Sequence, residues 1–387
     1  MVYLDNAAST PVHPDALRAL SDAAGAHPAN PSAAHGLGAA AARALEASRE
    51  AVAAWLRARA RDLVFTSGGT EANALGLLGS ARAQRKRHIV CTGIEHPSVL
   101  RNLERLEAEG FEVVRVSPSS DGVVPAERVL EAVTSETALV AMMWVNNELG
   151  TRQPVEAVAR GLRALPHPVA LHVDAVQGAP FLRLDVGALG ASTVAVSGHK
   201  LHAPKGVGAL WVHPEHRLAP LWEGGGQETG LRSGTENLPG CAGFATAVRL
   251  LTQDLAETRE RVAHLRDTFE REVARDVPRA RPTVPPDSPR APHVSSLRIA
   301  DLPAEPLLHA LEGRGVYASA GSACASKRRG QSPTLALLGI PERDAVLRFS
   351  FSRLSKESDV HEAIGALVGA LDDLRFMRLM APRRRSR

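Results

Sequence analysis

Cysteine is scarce in this chain: Cys91, Cys241 and Cys324 are the three among 387 residues. An odd count with no metal-site spacing argues against a disulfide framework and against a resident metal centre. Also missing is any apolar run long enough to span a bilayer, and Met1-Val-Tyr-Leu-Asp has no basic region followed by an apolar stretch. These absences lead us to expect a cytoplasmic protein with no membrane contact. Excess charge is small as well, with 46 Lys and Arg against 42 Asp and Glu, a net charge of +4. Four of those cations sit among the last five residues, Arg383 to Arg387, so the remainder is close to neutral. We read this basic tail, residues 381–387, as a solubilising terminus and expect no direct nucleic-acid partner; contact with RNA or an acidic protein is the alternative. No internal repeat is visible.

The length suits two domains. Tyr3-Leu4-Asp5-Asn6-Ala7-Ala8, followed by Pro11 and Pro14, reads as an extended arm, and Asp15 to Ala26 as a first helix. Ala-rich Gly36 to Arg59 predicts one long helix. Leu63 to Thr66 then forms a strand that ends in Ser67-Gly68-Gly69-Thr70-Glu71 and enters a helix. A Gly-rich turn of this kind leaves backbone N–H groups available for a phosphate. The same grammar repeats: His88 to Thr92 precedes Glu95-His96-Pro97, Ala138 to Val145 precedes Asn146-Asn147-Glu148, and Leu171 to Val173 ends in Asp174 with Gln177 beyond. Val194 to Val196 ends in Ser197, His199 and Lys200. Short apolar runs separated by helical stretches predict an α/β architecture with a parallel sheet covered on both faces, and ligands bind such sheets at the carboxyl ends of the strands.

Farther on, Val207 to Val212 is a strand, and the glycines around Arg232-Ser233-Gly234-Thr235 predict backbone approaching a ligand or a second subunit, or else a surface loop. A charged helical pattern from Pro239 to about Val273 leads into Pro278 to Pro292, a Pro-rich connection expected to mark a change of domain. Val294 to Ile299, Ala304 to Arg314, Val316 to Ala320, Val346 to Ser352 and Asp359 to Met380 then make a smaller α+β unit.

The polar strand ends suit pyridoxal phosphate. Lys200, held at a strand end in a partly desolvated pocket, could form a Schiff base, a solvated surface lysine being the alternative. Asp174 could keep a pyridine nitrogen protonated, or be a structural carboxylate. Thr70, Ser197 and His199 could bind phosphate; His96 could stack on a ring and move a proton, or cap a helix. Asn30, in Ala29-Asn30-Pro31-Ser32, is either a substrate contact or a turn residue. Cys324 lies among small residues and just ahead of Lys327, Arg328 and Arg329, which describes a mobile loop with a local charge that favours thiolate. It is the nucleophile candidate, an incidental loop cysteine being the alternative. Cys91 and Cys241 fall in a strand and at a helix start and are expected to be buried small hydrophobes.

With these motifs in order, the chain resembles the cysteine desulfurases of the class V aminotransferase group. The resemblance runs from Tyr3-Leu4-Asp5 to about Phe351 through Asn30-Pro31-Ser32, Thr66-Ser67-Gly68-Gly69-Thr70-Glu71, Glu95-His96, Val145-Asn146-Asn147-Glu148, His172-Val173-Asp174-Ala175, Ser197-Gly198-His199-Lys200, Arg232-Ser233-Gly234-Thr235 and Gly321-Ser322-Ala323-Cys324. It implies a fold-type I pyridoxal-phosphate transferase: a large domain, residues 16–255, with a mostly parallel seven-stranded sheet, and a smaller α+β domain, residues 256–380, carrying the Cys324 loop. Residues 1–15 would be an arm packing with the small domain.

By the same resemblance Lys200 would hold the cofactor and shuttle a proton. Gly69, Thr70, Ser197 and His199 would bind its phosphate, with Thr235 reaching in from the other subunit of a homodimer. Asn147 and Gln177 would hydrogen-bond the ring oxygen, Asp174 the ring nitrogen, and His96 would stack. Arg348, helped by Asn30, would clamp the carboxylate of L-cysteine. Cys324 would take the sulfur as a persulfide, leave L-alanine, and pass sulfur to an iron-sulfur scaffold or another acceptor, in cluster assembly or tRNA thiolation. In such a complex Cys324 would be a transient iron-sulfur ligand. Val176 stands where relatives commonly carry a hydroxyl, and the tail is short. The rival readings are a selenocysteine lyase or other class V aminotransferase, and a non-enzymatic sulfur carrier.

Overall fold

In the computed structural model, residues 1–321 and 331–380 are described, with side chains followed to residue 374. Its strands are β1 (Val2–Tyr3), β2 (Leu63–Thr66), β3 (His88–Thr92), β4 (Glu112–Val116), β5 (Thr137–Met143), β6 (Ala170–Asp174), β7 (Thr193–Ser197), β8 (Gly208–Val212), β9 (Ala280–Pro282), β10 (Val294–Ile299), β11 (Val316–Tyr317), β12 (Ser319–Ala320) and β13 (Ala345–Ser350). Seven of them form one sheet in the order β2-β8-β7-β6-β5-β3-β4. Parallel pairing runs from β7 through β4, and β8 lies antiparallel to both β7 and β2. Consequently β2, β3, β5, β6 and β7 all point their carboxyl ends to the same edge, the edge where ligands bind in sheets of this kind. β5, β6 and β7 are buried along their whole length, which is why their sequences read as continuous apolar runs without alternation.

Helices cover both faces. Gly69–Arg82 packs across the middle of the sheet and Pro97–Ala108 lies beside it. Gly36–Trp55 and Pro14–Ala26 pack on Leu238–Gln253. The long apolar core of this part includes Val140, Met142, Val173, Val194, Val196 and Phe244.

A second core joins Val262, Leu265 and Phe269 to Leu297, Leu347, Phe349 and Leu367. It lies under a four-stranded antiparallel sheet, β12-β13-β10-β9. Val2 and Leu4 belong to this second core, and β1 pairs in parallel with β11, so the start of the chain is a strand of the smaller unit. Farther along, Thr10 Oγ1 donates to the His199 carbonyl at 2.9 Å. Between these two anchorages, residues 5–9 are drawn across the mouth of the strand-end cleft.

Several expectations need correction. The charged pattern after Pro239 is two helices, Leu238–Gln253 and Leu255–Asp276, broken at Asp254, whose φ of −136° is not helical. The break falls where the side-chain faces pass from the first core to the second, so one straight helix would not serve both. The Pro-rich stretch from Pro278 to Pro292, expected to mark a change of domain, contains β9, which pairs with β10 just beyond it, and its Pro289 carbonyl accepts from the Arg152 N–H. The expected helix to Arg59 ends at Trp55, followed by Arg57 at φ 57°, a left-handed turn that sends the chain into β2. Val316 to Ala320 is not one strand; β11 and β12 pair in different sheets. Glu112–Val116, partly exposed at the sheet edge, was not anticipated.

Candidate active site

Five strand ends meet in a cavity of about 550 Å3. Its lining includes Gly69, Thr70, His96, Asn147, Asp174, Gln177, Ser197, His199, Lys200 and Arg348, so the structure brings together ten of the positions singled out in the sequence. A larger open groove of about 790 Å3 lies at the opposite edge of the sheet, among Arg57, Asp62, Arg163 and Glu215. Charges there include the pairs Arg57–Asp185 and Arg59–Asp62. The smaller cavity is where an amine, a carboxylate, imidazoles and an arginine converge at the strand ends.

Lys200 ends the short 3-10 turn after β7. Its Nζ donates to the carbonyls of Ala7 and Ala8 at 2.5 and 2.7 Å. On the neighbouring strand Asp174 is buried; Oδ2 accepts from Asn73 Nδ2 at 2.7 Å and Oδ1 from the Val176 N–H at 3.0 Å. His96 caps the helix Pro97–Ala108, its Nδ1 accepting from the Ser98 N–H at 3.1 Å. Burial holds the His96 imidazole below its ordinary pKa; the Asp174 charge opposes this, and Lys200 and Arg348 add to it. The His199 imidazole is pushed down to about 4 by burial and by the Lys200 and Lys205 charges, so it is neutral at pH 7 and contacts Ser9 Oγ through Nδ1.

The turn from β2 into the helix Gly69–Arg82 shapes one end of the cavity. Gly68 has φ 151°, and a Cβ on Gly69 would come within 2.8 Å of Val176 Cγ2, so both positions require the missing side chain. Glu71 braces the turn by accepting from the Ser67 N–H at 2.7 Å and from Arg232 Nε at 2.8 Å. Although burial pushes the Glu71 carboxyl up, those bonds hold it below the usual carboxylate range. Across the turn, Ser197 Oγ is buried and has no hydrogen-bond partner among the described residues. A buried hydroxyl without a partner is costly, and here it stands beside the unpaired N–H groups of a helix start. A phosphate would satisfy both. Ser197 is thus the observation on which pyridoxal phosphate fits: an anion seat at one end, the Lys200 amine within the cavity, and the Asp174 carboxylate on its floor.

Arg348 lies in the middle of β13, opposite Ser296 and Ser319. Nη1 donates to the Asn147 carbonyl and Nη2 to Asp5 Oδ1, both at 2.8 Å, while Nε is buried and unpartnered among the described residues. Arg348 lines the cavity, and a guanidinium there with an unpaired donor suits a carboxylate. Gln177, in the lining, is held within the protein: Nε2 donates to the Ala7 carbonyl at 2.7 Å, and Oε1 faces His293 Nε2 at 3.2 Å.

Asn30 does not reach the cavity; it is exposed, and Oδ1 accepts from the Ser32 N–H in a local turn. Thr235 is also exposed and is not part of the lining within this chain. Cys324 and the tail at 381–387 lie outside the described residues. Cys91 and Cys241 are buried, and burial pushes both thiols well above the ordinary range, as suits small core residues.

Sequence reading missed the second layer around the site. Asn73 and Ser98 link Asp174 to His96, and Glu95, fully buried, accepts from Thr92 Oγ1 at 2.5 Å and from the Met143 N–H at 2.7 Å. Burial, aided by the Asp174 charge, raises the Glu95 carboxyl to about 8, so it is protonated at pH 7. The legible signal was a polar residue on the sheet-facing side of an otherwise apolar helix, which is where Asn73 falls.

Fold and cavity together define a pyridoxal-phosphate enzyme. The aminotransferase class-V family model matches residues 2–362, and the chain belongs to that family. It is 35% identical over 381 residues to a cysteine desulfurase from Nostoc sp., a match covering 97% of this chain and 94% of the relative. Among solved structures, a NifS-like protein superposes with a TM-score of 0.90 at 32% identity, covering 96% of this chain and 99% of the other. SspA, determined in complex with cysteine, superposes with a TM-score of 0.80 at 31% identity and covers 92% and 100%.

Proposed function

We propose that this chain is a cysteine desulfurase, which removes sulfur from L-cysteine to give L-alanine and a persulfide on Cys324. The observation that carries the reading is that Ser197 and Arg348, each with a buried polar atom that has no partner among the described residues, line the same cavity as Lys200. Bound pyridoxal phosphate supplies an aldehyde for amines and a ring that withdraws electrons from the carbon next to them. The chain's own residues do the rest. Gly69, Thr70, Ser197 and His199 hold the phosphate. Asp174 would keep a proton on the ring nitrogen, His96 would lie against the ring, and Asn147 and Gln177 would serve the ring oxygen.

Arg348 takes the substrate carboxylate and so aims the cysteine sulfur out of the cavity. Lys200, released from the Ala7 and Ala8 carbonyls, moves a proton at the substrate's α carbon. The Cys324 thiolate then attacks the substrate sulfur: an S–S bond forms, the Cβ–S bond breaks, and the β carbon takes a proton to become the methyl of alanine. We read residues 16–255 as the large domain, 256–380 as the small one, and 1–15 as the arm joined to it. The same reading makes the active unit a cytoplasmic homodimer in which Thr235 serves the other subunit's site, and sends the sulfur to an iron-sulfur scaffold or a tRNA-thiolation acceptor. The exposure of Thr235 supports a contact across subunits.

The test is Cys324→Ser, which keeps the volume and removes the strong nucleophile. The variant should bind pyridoxal phosphate and change its visible absorption on adding L-cysteine, yet release neither alanine nor sulfide. Alanine at the wild-type rate would remove Cys324 from the reaction and return the chain to other class V activities.

A further inference from the structure

Four polar side chains at the cavity wall and behind it are almost wholly buried: Asn73 and Ser98, which line it, and His172 and Thr193. They form one connected set. Asn73 Nδ2 lies 2.7 Å from Asp174 Oδ2 and 2.8 Å from Ser98 Oγ; Asn73 Oδ1 lies 3.0 Å from His172 Nε2; His172 Nδ1 lies 2.8 Å from Thr193 Oγ1; and Ser98 Oγ lies 2.8 Å from His96 Nδ1. Each link has a direction that the chemistry of its groups dictates.

A carboxylate only accepts, so the Asn73 atom against Asp174 is its NH2 group, and the Asn73 oxygen must face His172. His172 therefore carries its proton on Nε2, and its bare Nδ1 accepts from the Thr193 hydroxyl. Burial drives the His172 imidazole down to about 3, so it stays neutral in this arrangement. The second Asn73 N–H donates to Ser98 Oγ, which leaves the Ser98 hydroxyl proton for His96 Nδ1. A backbone N–H can only donate, and the Ser98 amide also aims at that nitrogen at 3.1 Å. Two donors thus converge on His96 Nδ1.

We propose that Asn73 and Ser98 are positioning residues that transmit the orientation of Asp174 to His96 and fix His96 with its proton on Nε2, facing the cavity. In that form His96 gives a hydrogen bond to whatever lies against it and does not withdraw a proton; proton removal is left to Lys200. The proton assignment stands on the geometry alone, whereas its consequence for the reaction rests on the desulfurase reading above.

The experiment needs neither cofactor nor substrate, so its failure is separate from a failure of that reading. The full chain, cofactor-free and labelled with nitrogen-15 in histidine, is examined by long-range proton–nitrogen correlation across pH 5 to 8, with the His96 signals assigned through His96→Gln. The expected result is a neutral His96 with hydrogen on Nε2. Three charged groups act on this ring, Asp174, Lys200 and Arg348, and all three remain in the variants. Ser98→Ala or Asn73→Ala weakens donation to Nδ1 and eases its protonation, so the His96 titration should move up by roughly one pH unit. Thr193→Val is equally buried but acts on His172 only, and should leave the His96 titration in place. Hydrogen on Nδ1, or an equal shift in Thr193→Val and Ser98→Ala, would overturn the proposal. Should Asn73→Ala fail to fold, the wild-type tautomer and Ser98→Ala still decide it.

Discussion

Ser197 carries the most informative single atom in the chain. Its Oγ is buried without a partner among the described residues, although a serine at the end of a central strand could have been an alanine at no cost to packing. Ser197→Ala should therefore leave folding stability unchanged or slightly improved, since an unsatisfied group is removed. It should weaken pyridoxal phosphate binding by roughly tenfold to a hundredfold, the worth of one hydrogen bond to a charged group. Absorbance titration of cofactor-free protein beside urea unfolding separates the two effects. A fall in stability with unchanged binding would mean that the hydroxyl serves the fold and not the phosphate. Arg348 has two of its nitrogens engaged by Asn147 and Asp5, which fixes the guanidinium plane and leaves the buried Nε without a partner among the described residues.

At the scale of elements, the helix Gly69–Arg82 decides how the site is held, because it supplies the Gly-rich turn at its start and Asn73 one turn later. Its closeness to the sheet depends on Gly76. A Cβ there would lie 2.5 Å from His172 Cε1 and Nδ1, and 3.3 Å from Leu210 Cδ1. Alanine is the better helix former by about 1 kcal/mol, but overpacking a rigid ring costs about 1–3 kcal/mol, so Gly76→Ala should destabilise the protein. The strain falls on the ring that orients Asn73, so cofactor affinity should drop with stability; a lower urea midpoint with normal affinity would show that His172 yields without disturbing Asn73. The residues just before the first helix form the second decisive element. They pair with β11 through β1, with Lys200 through the Ala7 and Ala8 carbonyls, and with Arg348 through Asp5, so both cations are held by one short segment.

Across the whole molecule, buried titratable groups set the pH dependence of stability. Burial depresses His172 and His293 to about 3 and His202 to about 4, while burial raises Glu95 to about 8 and Glu148 to about 7. The histidines stay neutral in the fold but take up protons when unfolded below 6.5, so their contribution is lost as pH falls from 6.5 toward 3. The two carboxyls stay protonated in the fold but ionise when unfolded above 4.5, so theirs is lost as pH rises from 4.5 through 7 and 8. Between 4.5 and 6.5 these three histidines and His199, held at about 4, oppose two carboxyls, and stability rises with pH. Stability should peak near pH 6.5, fall steeply below 4.5, and decline on the alkaline side. Urea midpoints from pH 4 to 9 test this; Glu95→Gln should flatten the alkaline decline, and an unchanged decline would show that Glu95 does not cause it.

Much of this could be read from the chain itself. Alternation of short apolar runs with helical stretches determined a mostly parallel sheet, because strands buried on both faces need apolar residues at every position. The polar residue after each run determined where the site lies, since strand ends in such a sheet share one edge; Lys200, Asp174, His96 and Ser197 follow from that rule. Tertiary structure alone decided what is set by distant packing. The break at Asp254 exists because one helical stretch serves two cores, and the reach of Asn30 was left to a local turn. Gln177 binds Ala7 because the arm returns across the cleft, a contact 170 residues apart in sequence. Asn73, His172 and Thr193 became one hydrogen-bonded set only when helix and strands were laid face to face. Sequence spacing carries periodicity, which reports a side chain's face; the direction of a hydrogen bond between two faces depends on a register that only the packed sheet supplies.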